Sequence, residues 1–133
     1  MNQQHIVQSQ VMDKVFDYFK SLGSEKVIDE NKHQQYFSED FEMIINGKSV
    51  VKGLDKLTGH FEHLLEQSEK MDMTIHEKIV TDNKCIMRYD GFVPDRCLLN
   101  VIAIFKFRNE KIFEMNEVVN AVNTGQGLDF TSR

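Results

Sequence analysis

From residue 71 to residue 122 the chain is written as four apolar, β-rich runs with only three or four residues between them, and that spacing constrains the fold most. The runs cover 71–80, 84–93, 97–107 and 112–122, and the breakers are Thr81-Asp82-Asn83, Pro94-Asp95 and Arg108-Asn109-Glu110. Breakers this short leave no room for a crossover helix, so consecutive strands must run antiparallel. The preceding residues follow a different period. Between residues 4 and 22, Val7, Val11, Val15, Tyr18, Phe19 and Leu22 recur every three or four positions, opposite Ser9, Asp13, Asp17 and Lys20. That stripe predicts an amphipathic helix, with Gly23 as its stop. A poorer helix, in one or two pieces, is expected between a Ser24 cap and Tyr36-Phe37. Residues 41–45 predict a short strand closed by Asn46-Gly47. From about residue 51 to 67, Leu54, Leu57, Phe61, Leu64 and Leu65 share one face of a third helix.

Helices first and a meander afterwards predict an α+β fold, with three N-terminal helices packed in a strongly curved, mostly antiparallel sheet. We expect one domain over 1–122 and a loosely held tail over 123–133. A net charge of −5 with scattered Lys and Arg argues against nucleic acid and anionic membranes as partners. The start MNQQHIVQSQ lacks the basic and apolar regions of a secretory leader, and no run approaches the roughly 20 apolar residues of a membrane span. Cys85 and Cys97 sit inside apolar runs as reduced thiols, so a cytoplasmic setting is expected. The third strand is apolar on both faces: Cys97, Leu99, Val101, Ala103, Phe105 and Phe107 on one, Leu98, Ile102 and Ile104 on the other. Helices cover only one of these. A second copy is the expected cover for the other, giving a homodimer through the sheet, with a monomer carrying exposed aliphatics as the alternative.

Three stretches carry a resemblance. YFSEDFEM places an aromatic before an acid-rich turn, VVKGLDKL opens a helix with glycine, and IFKFRNEKIFEMNEVVNAV is similar to a closing hairpin of the form F-R-F-x-x-G-K-I-x-E-H-W-D-V-x-D. In this order the chain resembles the SnoaL-like branch of the nuclear transport factor 2-like (cystatin-like) superfamily. The resemblance implies an α+β cone, commonly dimeric, with a deep pocket between helices and concave sheet, used by cyclases, isomerases, dehydratases and non-catalytic binding modules. It also shows departures. Met115 and Asn116 replace the histidine and tryptophan of the hairpin motif, while Glu117 retains the acid. The positions that resemble those of the steroid isomerase base, tyrosine and second acid hold Ile45, Phe16 and Ala103, which excludes that chemistry.

Glu117 is the candidate catalytic residue. Phe113, Met115, Val119 and Ala121 share its strand face, so a carboxylate interrupts an apolar row, and burial there raises its pKa toward the range of a general acid/base. A two-residue loop at Arg108-Asn109-Glu110 would instead turn Asn116 and Asn120 inward, and the sequence leaves that register open. Arg88 and Asp90 share a face with Ile86 and Phe92. A hairpin turning on Pro94-Asp95 would set that face beside Leu99, Val101 and Ala103, making Arg88 a partner for Glu117 or an anionic group; a surface ion pair is the alternative, and the sequence leaves open whether Arg88 or Tyr89 faces inward. Tyr18, on the inner stripe of the first helix, is expected to offer a hydroxyl or to be core. Phe16, Phe61, Val101, Ala103, Met115 and Val119 complete the expected ligand wall. His60 and His63 lack an HExxH context, so no metal is expected, and no phosphate loop or cofactor motif is present. The ligand expected is a small, largely apolar or carbonyl-containing molecule. It would be either turned over by proton transfer through Glu117 or simply held by a non-catalytic module.

Overall fold

A computed structural model describes residues 3–130. The elements are α1 (Gln3–Glu25), α2 (Glu30–Tyr36), β1 (Phe37–Ile45), β2 (Lys48–Lys52), a 3₁₀ turn (Leu54–Lys56), α3 (Leu57–Glu66), β3 (Asp72–Thr81), β4 (Lys84–Val93), β5 (Cys97–Arg108) and β6 (Lys111–Asn123). The strands form one curved, unclosed sheet in the order β2-β1-β6-β5-β4-β3. Among the described residues only the β1–β6 pair is parallel, and the helices pack on the concave face.

The periodic stripe of α1 buries Met12, Val15, Phe16, Tyr18, Phe19 and Leu22. Gly23 is not its stop. The helix runs on to Glu25 and ends where Lys26, at φ 60°, takes the left-handed conformation and its N–H donates to Leu22 O at 3.0 Å. Gly23 serves a close approach instead: its carbonyl accepts Met71 N–H at 3.0 Å, and a Cβ there would lie 2.4 Å from Met71 O. The cap of α2 is Asp29 rather than Ser24, accepting from the N–H groups of Asn31 and Lys32 at 3.0 and 3.4 Å. Residues 48–52 correct another expectation. Asn46 and Gly47, at φ 50° and 82°, make a hairpin turn, and Val51 pairs with Met43 in β2 instead of opening the third helix.

Two hairpins decide which side chains look inward. Between β4 and β5 the loop holds three residues, Pro94-Asp95-Arg96, closed by Arg96 N–H donating to Val93 O at 3.0 Å with Asp95 at φ 63°. One residue more than expected flips the parity. Tyr89 therefore faces Val101 across the inner row, while Arg88 lies opposite Ile102 and Asp90 opposite Asn100 on the outer face. Between β5 and β6, Asn109 and Glu110 form a two-residue turn with φ 53° and 66°. That turn alone would aim Asn116 inward. A bulge intervenes: Phe107 pairs with Ile112 but Lys106 with Glu114, so Phe113 is the extra residue and Glu117 returns to the inner row opposite Ala103. The Phe113 ring leaves the row Glu117 occupies and lies under the Arg108 guanidinium, 4.7 Å from it. Among the described residues, no helix is long and apolar enough to cross a membrane.

Candidate active site

Between α1, α3 and the concave sheet lies a cavity of about 110 Å³. Cavities of about 150 Å³ hold benzene, so a single small ring or short branched chain fills this one. Its wall is apolar and rich in thioethers, with Met43, Met71, Met73 and Met115 beside Phe19, Phe61 and Val101. Methionine side chains adapt to varied apolar shapes. Among the described residues three titratable side chains, Glu117, Tyr89 and His60, interrupt that wall.

Glu117 comes from β6 and Tyr89 from β4, two strands apart in the same inward row. Tyr89 Oη donates to Glu117 Oε2 at 2.7 Å. Oε1 makes no hydrogen bond to protein among the described residues and is left to whatever enters. Burial raises the Glu117 carboxyl to about 7, with the Tyr89 hydrogen bond acting in the opposite direction. Burial, together with the Glu117 charge, pushes Tyr89 well above its ordinary range, so it stays a donor. The Phe16 ring packs edge-on against Tyr89, centroids 5.2 Å apart, and fixes its orientation. The strand position of Glu117 is also held from the β1–β2 turn. Asn46 N–H donates to Glu117 O at 2.9 Å, and the Asn46 amide exchanges two hydrogen bonds with the backbone of Val119, at 2.8 and 3.0 Å.

Of the residues singled out from sequence, Glu117, Phe61, Val101, Met115 and Val119 line the cavity. Phe16 packs against Tyr89, and Ala103, opposite Glu117 in the inward row, is fully buried; neither lines the cavity. Tyr18 faces away: its hydroxyl meets His33 Nε2 at 2.5 Å and accepts Asp29 N–H at 3.2 Å, tying α1 to α2. Arg88 and Asp90 are corrected to the outer face, where Arg88 meets Glu77 at 3.4 Å and Asp90 meets His76 at 2.6 Å. The hairpin parity is the cause. Two titratable lining residues were not chosen from sequence: Tyr89, left as the alternative to Arg88 while the hairpin register stood open, and His60. A signal existed for both: Cys85, Met87, Tyr89, Gly91 and Val93 form the more apolar row of their strand, and His60 lies three residues after Leu57 and four before Leu64 on the core stripe of α3. Among the described residues no three His, Cys, Asp or Glu side chains converge as metal ligands.

The segment expected to hang loosely closes one side of the cavity through Leu128 and Phe130. Gln67 Nε2 donates to Asp129 O at 2.6 Å and Gln67 Oε1 accepts Asp129 N–H at 2.7 Å, while Arg96 Nη1 donates to Gly127 O at 3.1 Å. A chain ended at Asn123 should therefore melt about 5 °C lower and bind a hydrophobic dye more strongly, both readable by scanning fluorimetry. An unchanged melting point would show that these contacts contribute nothing.

Comparison with known proteins finds that the model of a family described as SnoaL-like domain matches residues 17–115. No curated protein matches. Among solved structures, a Jannaschia sp. CCS1 protein carrying a SnoaL-like polyketide cyclase designation superposes with a TM-score of 0.75 at 11% identity, over 90% of each chain. A nuclear transport factor 2-like protein from Anabaena variabilis ATCC 29413 reaches 0.72 at 14% identity, over 96% of this chain and 98% of its own. A phenazine biosynthesis-related protein from Pseudomonas aeruginosa reaches 0.67 at 19% identity, over 90% and 81%. At these identities the likeness is one of fold.

Proposed function

This chain belongs to the SnoaL-like domain family, and from that premise we propose that it binds a small, largely apolar carbonyl compound and moves a proton on it, with Glu117 as acid/base and no cofactor. The observation that carries the reading is a carboxyl poised near 7 in an apolar cavity, with one oxygen held by Tyr89 and the other without a hydrogen bond among the described residues. Ionised Glu117 takes the proton α to the carbonyl, the electron pair moves into the enolate, and the protonated carboxyl returns the proton to carbon or to a leaving hydroxyl. Isomerisation, dehydration and aldol-type cyclisation share that step. The cyclase designation of the Jannaschia relative accords with it. Proton NMR in D₂O of small neutral ketones tests the reading: the protein should accelerate loss of the α-proton signal. Ketones that bind without exchange would reduce the site to a receptor.

A second copy of the chain is proposed to cover the convex face. Phe92, Leu98, Ile102, Val118 and Val122 are each 42–64% exposed there, in cross-strand register on β4, β5 and β6. A two-fold contact brings the same patch together from both copies. Sedimentation should show a dimer that Ile102→Glu converts to monomer; a monomeric wild type would remove this partner. We also place the chain in a reducing compartment such as the cytoplasm, where the buried thiols of Cys85 and Cys97 stay free.

A further inference from the structure

His60 takes no part in the proton transfer, yet its ring lines the same cavity from the helical wall. It is 3% exposed, and its Nδ1 is buried with no hydrogen-bond partner among the described residues. Burial is the main cause that lowers the imidazole to about 4, with His63 adding to it, so the ring is neutral under ordinary conditions. A neutral imidazole carries one N–H and one lone pair. A proton on the enclosed Nδ1 would be an orphan donor, so it belongs on Nε2, the nitrogen that is not enclosed. The ring therefore offers a donor while leaving a polar atom unsatisfied, an arrangement that costs the empty fold stability. Phe or Leu would fill the site without that cost, so what the histidine adds to the cavity is the Nε2–H it presents.

The rest of the lining narrows the ligand. Among the described residues no Lys or Arg lines the cavity, and Glu117 contributes negative charge on the opposite, sheet side. A carboxylate or phosphate ligand would be buried there without a counter-ion. We propose that His60 is a specificity-determining residue whose Nε2–H receives an oxygen at one end of a small neutral ligand, while a carbonyl at the other end meets Glu117 and Tyr89. The ligand class is a compact molecule with two oxygen functions separated by a short apolar framework. This inference rests on the reading of the cavity as a ketone-binding site, and adds to it the second polar end and the absence of charge.

Three probes of nearly equal shape test it: acetonylacetone, with two carbonyls, methyl butyl ketone, with one, and levulinate, in which a carboxylate replaces one acetyl end. Dissociation constants are read by ligand-observed NMR on wild type, His60→Phe and His60→Gln, with melting points for each. Wild type should bind acetonylacetone on the order of tenfold more tightly than methyl butyl ketone, and levulinate more weakly than either. His60→Phe should abolish the preference for the diketone, still bind methyl butyl ketone, and melt about 3–5 °C higher than wild type. His60→Gln, which keeps an N–H donor, should recover part of the preference. Methyl butyl ketone binding with no diketone preference, or a preference that survives His60→Phe, overturns the His60 assignment and leaves the pocket reading intact. A lower melting point for His60→Phe makes the histidine a packing residue and also overturns it. Levulinate binding most tightly overturns the neutral ligand class. Binding of none of the three overturns both readings.

Discussion

Glu117→Gln is expected to abolish proton exchange on a bound ketone while making the folded chain more stable above neutral pH. Loss of a positioned general acid/base costs about 10²–10⁴-fold in rate, and the amide oxygen of glutamine can still accept the Tyr89 hydroxyl, so the geometry survives. The stability effect follows from where the proton sits. An unfolded glutamate ionises around 4.5, whereas this one, buried, holds its proton to about 7. Below 4.5 both states are protonated and the contribution to stability is full. Between 4.5 and about 7 only the unfolded chain has lost the proton, so rising pH favours unfolding. Above that window the contribution is gone, a change on the order of 3 kcal/mol. Urea unfolding of wild type and variant across the window should give a difference curve that grows in the variant's favour with rising pH and then levels. Taking the difference removes every group that the two proteins share. A flat difference would mean that Glu117 is not poised as described, and residual exchange in the variant would assign the chemistry elsewhere.

Gly23→Ala should destabilise the fold by about 2–3 kcal/mol, although the same change inside an ordinary helix gains up to about 1 kcal/mol. The added methyl would sit 2.4 Å from Met71 O, 3.1 Å from Met71 Cβ and 3.2 Å from Met71 C. Two of these atoms are backbone, and the segment cannot swing aside without breaking the Gly23 O to Met71 N–H hydrogen bond of 3.0 Å. Gly23 and Met71 both line the cavity, so the displacement should also weaken ketone binding. Thermal unfolding decides the matter: a melting point equal to or above that of wild type would return Gly23 to the role of a helix residue without close neighbours.

Local patterns carried much of the fold. The stripe from Val7 to Leu22, the Asn46-Gly47 turn and the four strand runs lie within a few residues of the observed elements, because periodicity and turn chemistry are written in near neighbours. β2 escaped because residues 48–52 hold a single turn of pattern, too short to separate a strand from the start of a helix. At the site, the acid at 117 was legible as a break in an apolar row. Its hydroxyl partner was not, because choosing between Arg88 and Tyr89 depends on whether a loop holds two residues or three.

The amino-acid order by itself determined the α+β class, the succession of elements and the presence of one carboxyl among greasy neighbours. The tertiary structure alone decided which side chains meet in the cavity. A strand repeats every two residues, so one extra loop residue after Val93 turns Arg88 and Asp90 out and Tyr89 in, and one bulged residue at Phe113 turns Glu117 back from the outer face. A bulge forms where packing against distant elements makes it favourable, and that balance is not written in any local stretch of chain.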